Sequence, residues 1–92
     1  YLTSVPPEIQ DEFVDLNIRM VGFANNHTTD YGWEGCLATI EAAEKREIQP
    51  CGVGRNLEDA RAARFLDTVH GRVAVVAADS TWSERALACN AG

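Results

Sequence analysis

Helices alternating with strands over the first half of this sequence predict an α/β fold with a partly parallel sheet. Apolar residues recur at helical spacing in two segments, around 8–16 and 33–47. Between them a short, mostly apolar run, 18–24, reads as a buried strand. The loop that follows, 25–32, is wholly unlike its flanks. In open α/β sheets functional groups gather at the carboxyl ends of strands, which is where this loop stands.

Each element has its own local reason. Pro6 and Pro7 suit the start of a helix, because a first-turn residue has no need of its N–H. Ile9, Phe13 and Leu16 then form an apolar stripe, with Glu8, Asp11, Glu12 and Asp15 among the polar positions of the early turns. Asn17 is a good left-handed stop. The strand over 18–24 is interrupted in character by Arg19 and Gly22. Trp33, Cys36, Leu37, Ile40 and Ala43 mark the buried stripe of a second helix running to about Glu47, with Glu41 and Lys45 spaced as a supportive pair on its solvated side.

Residues 48–53 suit a short strand, which Pro50 confines to an edge or an irregular extension. Asn56 is placed to cap a short helix over 57–62, with Asp59 at its third position. Segments 65–69 and 72–78 read as two strands joined through a tight turn at His70-Gly71, and 79–92 carries no clear period. The lone Gly52-x-Gly54 lacks the context of a dinucleotide site and reads as backbone that needs unusual dihedrals.

Composition narrows the function. With 46% hydrophobic and 24% charged residues the chain is ordinary for a globular protein. Fourteen acidic against eight basic residues give a net charge of −6, a surface that repels a phosphate backbone and disfavours nucleic-acid binding. Cys36, Cys51 and Cys89 are odd in number and widely spaced, so they read as unpaired thiols. No apolar run approaches the ~20 residues that a membrane span needs. The start at Tyr1 and the stop at Gly92 make residues 1–92 read as a single partial domain, truncated at both ends.

The loop carries the candidate chemistry. Asn25, Asn26, His27 and Asp30 sit together directly after the strand. An asparagine oxygen is a neutral ligand for a divalent cation, and an imidazole can bind metal or pass a proton if its second nitrogen is held. Asp30 is close enough in sequence to hold that nitrogen, or to cap the following helix, or both. The structural alternatives are that the asparagines are turn formers and that His27 is a solvated loop residue. Asn26-His27-Thr28 also matches a glycosylation sequon, a pattern short enough to arise by chance. Tyr31 and Trp33 flank the loop; Trp33 fits the core stripe.

The string Ala24-Asn25-Asn26-His27-Thr28-Thr29-Asp30-Tyr31-Gly32, followed by Glu34-Gly35, resembles the A-N-N-H-x-x-D-y-G signature of the bacterial capsule-synthesis (CapA-type, poly-γ-glutamate) family. Gly52-Val53-Gly54-Arg55-Asn56, Glu58-Asp59-Ala60-Arg61, Gly71-Arg72-Val73-Ala74-Val75, Ser80-Thr81-Trp82 and Pro6-Pro7-Glu8 extend the resemblance over most of the chain. It implies a fragment of a four-layer α-β-β-α, calcineurin-like metallophosphoesterase domain. In such enzymes an Asn-His pair at a strand end supplies one metal ligand and one group that contacts phosphate.

Carried over by position, Asn26 would be the metal ligand and His27 the group that stabilises the transition state or protonates the leaving group. Asp30 would orient His27, with Asn25 and Tyr31 contacting substrate. Related enzymes place an acid directly after the histidine, where this chain has Thr28. The resemblance further implies divalent metal ions in the full-length parent, an anionic polymer or phosphoester-type substrate, and frequent association with the cell envelope. The alternative is a non-catalytic scaffold or binding subunit of a polymer-synthesis complex. The only other histidine, His70, is expected at the surface of its turn. With the remaining ligands outside this chain, the piece alone is expected to be inert.

Overall fold

A computed structural model describes residues 5–80. A 3-10 turn, Pro7–Ile9, leads into α1 (Gln10–Asp15), β1 (Met20–Gly22), α2 (Gly32–Lys45) and β2 (Gln49–Cys51). Then come α3 (Leu57–Arg61), β3 (Arg64–Thr68) and β4 (Gly71–Val75). The arrangement is a small mixed α/β one. β1 and β2 pair in parallel, Met20 with Gln49 and Gly22 with Cys51, so α2 is the crossover of a β-α-β unit. β3 and β4 form an antiparallel hairpin in which Arg64 faces Val75 and Thr68 faces Gly71.

The parallel pairing is as expected, but the described strands make two separate two-stranded sheets rather than one. Pro50 supplies a reason. It has no N–H to offer an outer neighbour, so a ladder cannot continue past it. Side chains bridge the gap instead: Arg64 Nε donates to the Pro50 carbonyl at 3.2 Å and Gln49 Nε2 to the Phe65 carbonyl at 2.6 Å.

The first helix departs from its expected stripe. It ends at Asp15, so Leu16 occupies the C-cap and is 71% exposed, and Ile9 is 39% exposed. The buried residue is Gln10, at 6% exposure. Asn17 does adopt the left-handed conformation, with φ 59°, and the Ile18 N–H closes the helix end on the Phe13 carbonyl at 2.8 Å.

The core lies under α2, where Cys36, Ile40 and Val53 cluster with Phe23 packed against them. Ile48 and Cys51 are also buried. Trp33, expected in this stripe, is 49% exposed. Strands of three residues span only about 10 Å, whereas a 14-residue helix is about 21 Å long. The strands are too short to cover the whole helix, and Trp33 in its first turn is left about half covered.

After β2 two glycines allow close approaches. Gly52 has φ 75°, and a Cβ there would lie 2.7 Å from the Ala24 Cβ and 2.8 Å from the Ala77 carbonyl. A Cβ on Gly54 would lie 2.7 Å from Asp59 Oδ2. α3 begins as expected: Asn56 Oδ1 accepts the Asp59 N–H at 2.8 Å. His70 is exposed in the hairpin turn. Cys36 and Cys51 are both buried. Cys89, Thr81, Trp82 and most of the aperiodic segment 79–92 lie outside the described residues.

Candidate functional site

The end of β1 builds the loop from its backbone outward. The Phe23 N–H reaches the Cys51 carbonyl at 2.9 Å, extending the pairing beyond β1. The Asn25 N–H then bonds back to the Phe23 carbonyl at 2.9 Å, a three-residue turn that ends the extended run. Asn25 Oδ1 accepts from the His27 N–H at 2.9 Å and lies 3.1 Å from the Thr28 hydroxyl, which also donates to the Phe23 carbonyl. Two further turns, Asp30 N–H to His27 carbonyl at 3.1 Å and Gly32 N–H to Thr29 carbonyl at 3.0 Å, wind the chain into α2.

This winding brings His27 and Asp30 together. His27 Nδ1 lies 2.7 Å from Asp30 Oδ2, with the carboxylate side chain only 6% exposed and the imidazole 37%. A carboxylate can only accept, so Nδ1 carries the proton in this contact and Nε2 is the nitrogen that presents a lone pair. Of the two roles open to Asp30, the geometry displays the histidine contact; the N-cap position of α2 falls on Tyr31.

The other expected site residues are placed less tightly. Asn26 is exposed, and its carboxamide makes no hydrogen bond among the described residues. Tyr31 is 57% exposed. Asn25 commits its carboxamide oxygen to the loop itself, a turn-forming role for that atom. Among the described residues no group of three or more His, Cys, Asp or Glu is placed to hold a metal ion.

Sequence reasoning missed Thr28 and Thr29. Thr28 fastens the loop to β1, and Thr29 is 4% exposed beneath it. A threonine three residues after an asparagine turn former is a side-chain turn signal that would have found Thr28. The Cys51 carbonyl holds Phe23, and burial of its side chain pushes the thiol up, outweighing the nearby Arg64 charge.

Three grooves of comparable size indent the described residues. The first, of about 410 Å³, adjoins the loop and is lined in part by His27, Thr28 and Tyr31. The others, of about 450 Å³ beside Asp11 and Lys45 and of about 440 Å³ beside Val53, contain none of the loop residues. In the last, four of the charged side chains pair, Arg55 with Glu44 at 2.6 Å and Arg64 with Asp59 at 2.8 Å. The first is the one beside the chemistry.

Known proteins resemble this chain over most of its length. The family model described as "Bacterial capsule synthesis protein PGA_cap" matches residues 1–91. Protein y4sH of Sinorhizobium fredii is 34% identical over 84 residues, 91% of this chain and 18% of its own length. The "PGA biosynthesis protein CapA" of Bacillus subtilis is 33% identical over 57 residues, 62% of this chain and 15% of its own. A "Probable polyglutamine synthesis accessory protein" of Mycobacterium tuberculosis is 35% identical over 69 residues, 72% of this chain and 18% of its own. The chain thus spans less than a fifth of the relatives it matches. A family match over nearly every residue leaves one assignment: the chain belongs to the bacterial capsule synthesis protein (PGA_cap) family.

Proposed function

We propose that this chain supplies the Asn-His loop of a metal-dependent, phosphoesterase-like hydrolase acting in capsule-polymer assembly, within a four-layer α-β-β-α domain. The observation that carries the reading is the 2.7 Å contact between His27 Nδ1 and the buried Asp30 carboxylate, at the end of a parallel strand. The names of the Bacillus and Mycobacterium relatives support capsule or polyglutamate synthesis as the setting. The substrate is an anionic polymer or a phosphoester-type group attached to one.

The donor chemistry fits one position of a metal site. A carboxamide oxygen is a hard, neutral ligand, and Asn26 is exposed and uncommitted among the described residues. The rest of the donor set belongs to sequence outside them. A divalent ion, when bound, polarises a phosphoryl oxygen and offsets the repulsion that a chain of net charge −6 exerts on an anion.

The chain's own residues do the rest. Asp30 holds the ring with Nδ1 protonated, so Nε2 is the nitrogen that meets substrate. In its protonated form Nε2 donates to the leaving oxygen or to the developing negative charge. Asn25 Nδ2 and the Tyr31 hydroxyl are the donors that orient substrate beside it. The turn hydrogen bonds from Asn25 and Thr28 keep His27 from swinging away.

In the full-length protein, His27→Ala is expected to keep its metal and lose rate by roughly 10²–10⁴-fold. Asn26→Ala is expected to lower metal content, with excess metal restoring part of the function. Metal analysis and turnover of a phosphoester substrate measure both. If both variants keep normal metal content and activity, the loop is structural and the scaffold reading takes its place.

A further inference from the structure

Three runs of chain meet where β2 ends. Cys51 and Val53 are both fully buried, and the Cys51 carbonyl holds the Phe23 N–H at 2.9 Å. Gly52 is therefore pinned by its neighbours on either side. A Cβ on Gly52 would lie 2.7 Å from the Ala24 Cβ, 2.8 Å from the Ala77 carbonyl oxygen and 2.9 Å from the Ala77 Cβ. Ala24 directly precedes Asn25, Asn26 and His27, and Ala77 lies in the run after β4. The ends of β1, β2 and that run thus converge on one position that carries no side chain.

Two separable reasons keep a glycine there. Its φ of 75° lies in the left-handed region, which asparagine also tolerates. The contacts are the stricter reason. A methyl and a backbone carbonyl cannot swing aside as the tip of a long side chain can, so any added side chain moves the backbone around it. Ala24 is the nearest of these neighbours. It stands one residue past the Phe23 N–H that ties β1 to Cys51, and the next bond, from the Asn25 N–H to the Phe23 carbonyl, lies inside the turn. A push on Ala24 is accordingly passed on to the turn that Asn25 and Thr28 build around His27.

We infer that Gly52 is a positioning residue for the Asn-His loop. The missing side chain sets how closely the loop sits against the end of β2, and through it where Asn26 and His27 stand. The placement is independent of the chemistry; its consequence for rate rests on the proposed role of His27.

The test compares Gly52→Ala, Gly52→Ala with Ala24→Gly, and Gly52→Ala with Ala77→Gly in the full-length protein. The ring resonances of His27, assigned by their loss in His27→Ala, report the loop's geometry, and phosphoester turnover reports the chemistry. Gly52→Ala is expected to shift the ring signals and to lower turnover roughly 10²-fold, the cost of about 1 Å of misplacement. Removing the Ala24 methyl as well is expected to return both toward native values, because the remaining crowding falls on the run after β4. The melting temperature is expected to stay low in that double variant, since alanine at a left-handed position remains strained. Removing the Ala77 methyl instead is expected to restore neither, because the Ala24 methyl still crowds the position.

Should Gly52→Ala fail to fold, Ala24→Val fills the same gap from the loop's side without backbone strain, and it is expected to shift the same ring signals. Ring signals that stay native in the folded variant, or that recover no better with Ala24→Gly than with Ala77→Gly, overturn the inference. Signals that move and recover while turnover stays constant uphold the positioning and overturn the catalytic role of His27 instead.

Discussion

An imidazole in a loop has two ring faces, two tautomers and freedom about two torsions, and catalysis needs one combination of these. The Asp30 carboxylate removes most of that freedom for His27 through a single short contact. Asp30→Asn keeps the shape but offers both a donor and an acceptor, so the wrong tautomer becomes accessible. Its expected outcome is a loss of rate of about 10–100-fold with metal content unchanged, a weaker version of His27→Ala. Thr28 acts one step further back. Its hydroxyl serves the Phe23 carbonyl and sits beside Asn25 Oδ1, so Thr28→Val leaves a strand-end carbonyl without its donor. Denaturant unfolding is expected to show a loss of about 1–2 kcal/mol. The His27–Asp30 pairing was legible in the sequence because three residues of turn bring such side chains together. The part played by Thr28 was not, since its partner carbonyl lies on the preceding strand.

Helices α2 and α3 hold the loop's surroundings by different means. α2 relies on burial: Ile40 is 2% exposed in the core cluster, while Trp33 is 49% exposed in the first turn. Ile40→Ala is therefore expected to cost about 2–4 kcal/mol, and Trp33→Ala less than about 1 kcal/mol. Thermal unfolding of both variants checks the contrast. α3 relies on Asp59, whose N–H takes the Asn56 cap, whose Oδ2 accepts the Arg55 N–H at 3.1 Å and whose Oδ1 accepts Arg64 at 2.8 Å. Burial pulls the Asp59 carboxyl upward, but the Arg64 and Arg55 hydrogen bonds outweigh it and hold the group below the usual carboxylate value. A depressed carboxyl stabilises the fold above its unfolded value of about 4, and that contribution fades as pH falls through the folded value. Asp59→Asn is expected to be less stable at pH 7 and to show a flatter stability curve below about pH 4, converging with the native protein in acid. The cap was readable from Asn56 and Asp59 alone, whereas the Arg64 anchor depends on where the hairpin docks.

As a whole molecule the described chain has a slender core. Its largest fully buried aliphatic side chains are Ile40, Ile48 and Val53, and the hairpin leaves Phe65 at 52% and Val73 at 47% exposure. A core of this size fixes the β-α-β unit and the loop, and among the described residues no group of three or more His, Cys, Asp or Glu is placed to hold a metal ion. The 92-residue chain by itself is accordingly expected to release no product from p-nitrophenyl phosphate with added manganese; turnover that disappears in its His27→Ala variant would show that the account of missing ligands is wrong. The sequence by itself determined the order of helices and strands, the Asn17 stop, the Asn56 cap, the hairpin turn and the position of the loop. These rest on periodicity, capping and turn chemistry, which act between residues close along the chain. Only the tertiary structure decided that Gln10 rather than Leu16 is buried on α1, that Trp33 is left about half covered, and that Pro50 parts the strands into two sheets joined by side chains. Burial and sheet continuation depend on which surfaces arrive from distant parts of the chain, and no local pattern encodes how far a three-residue strand will reach beneath a longer helix.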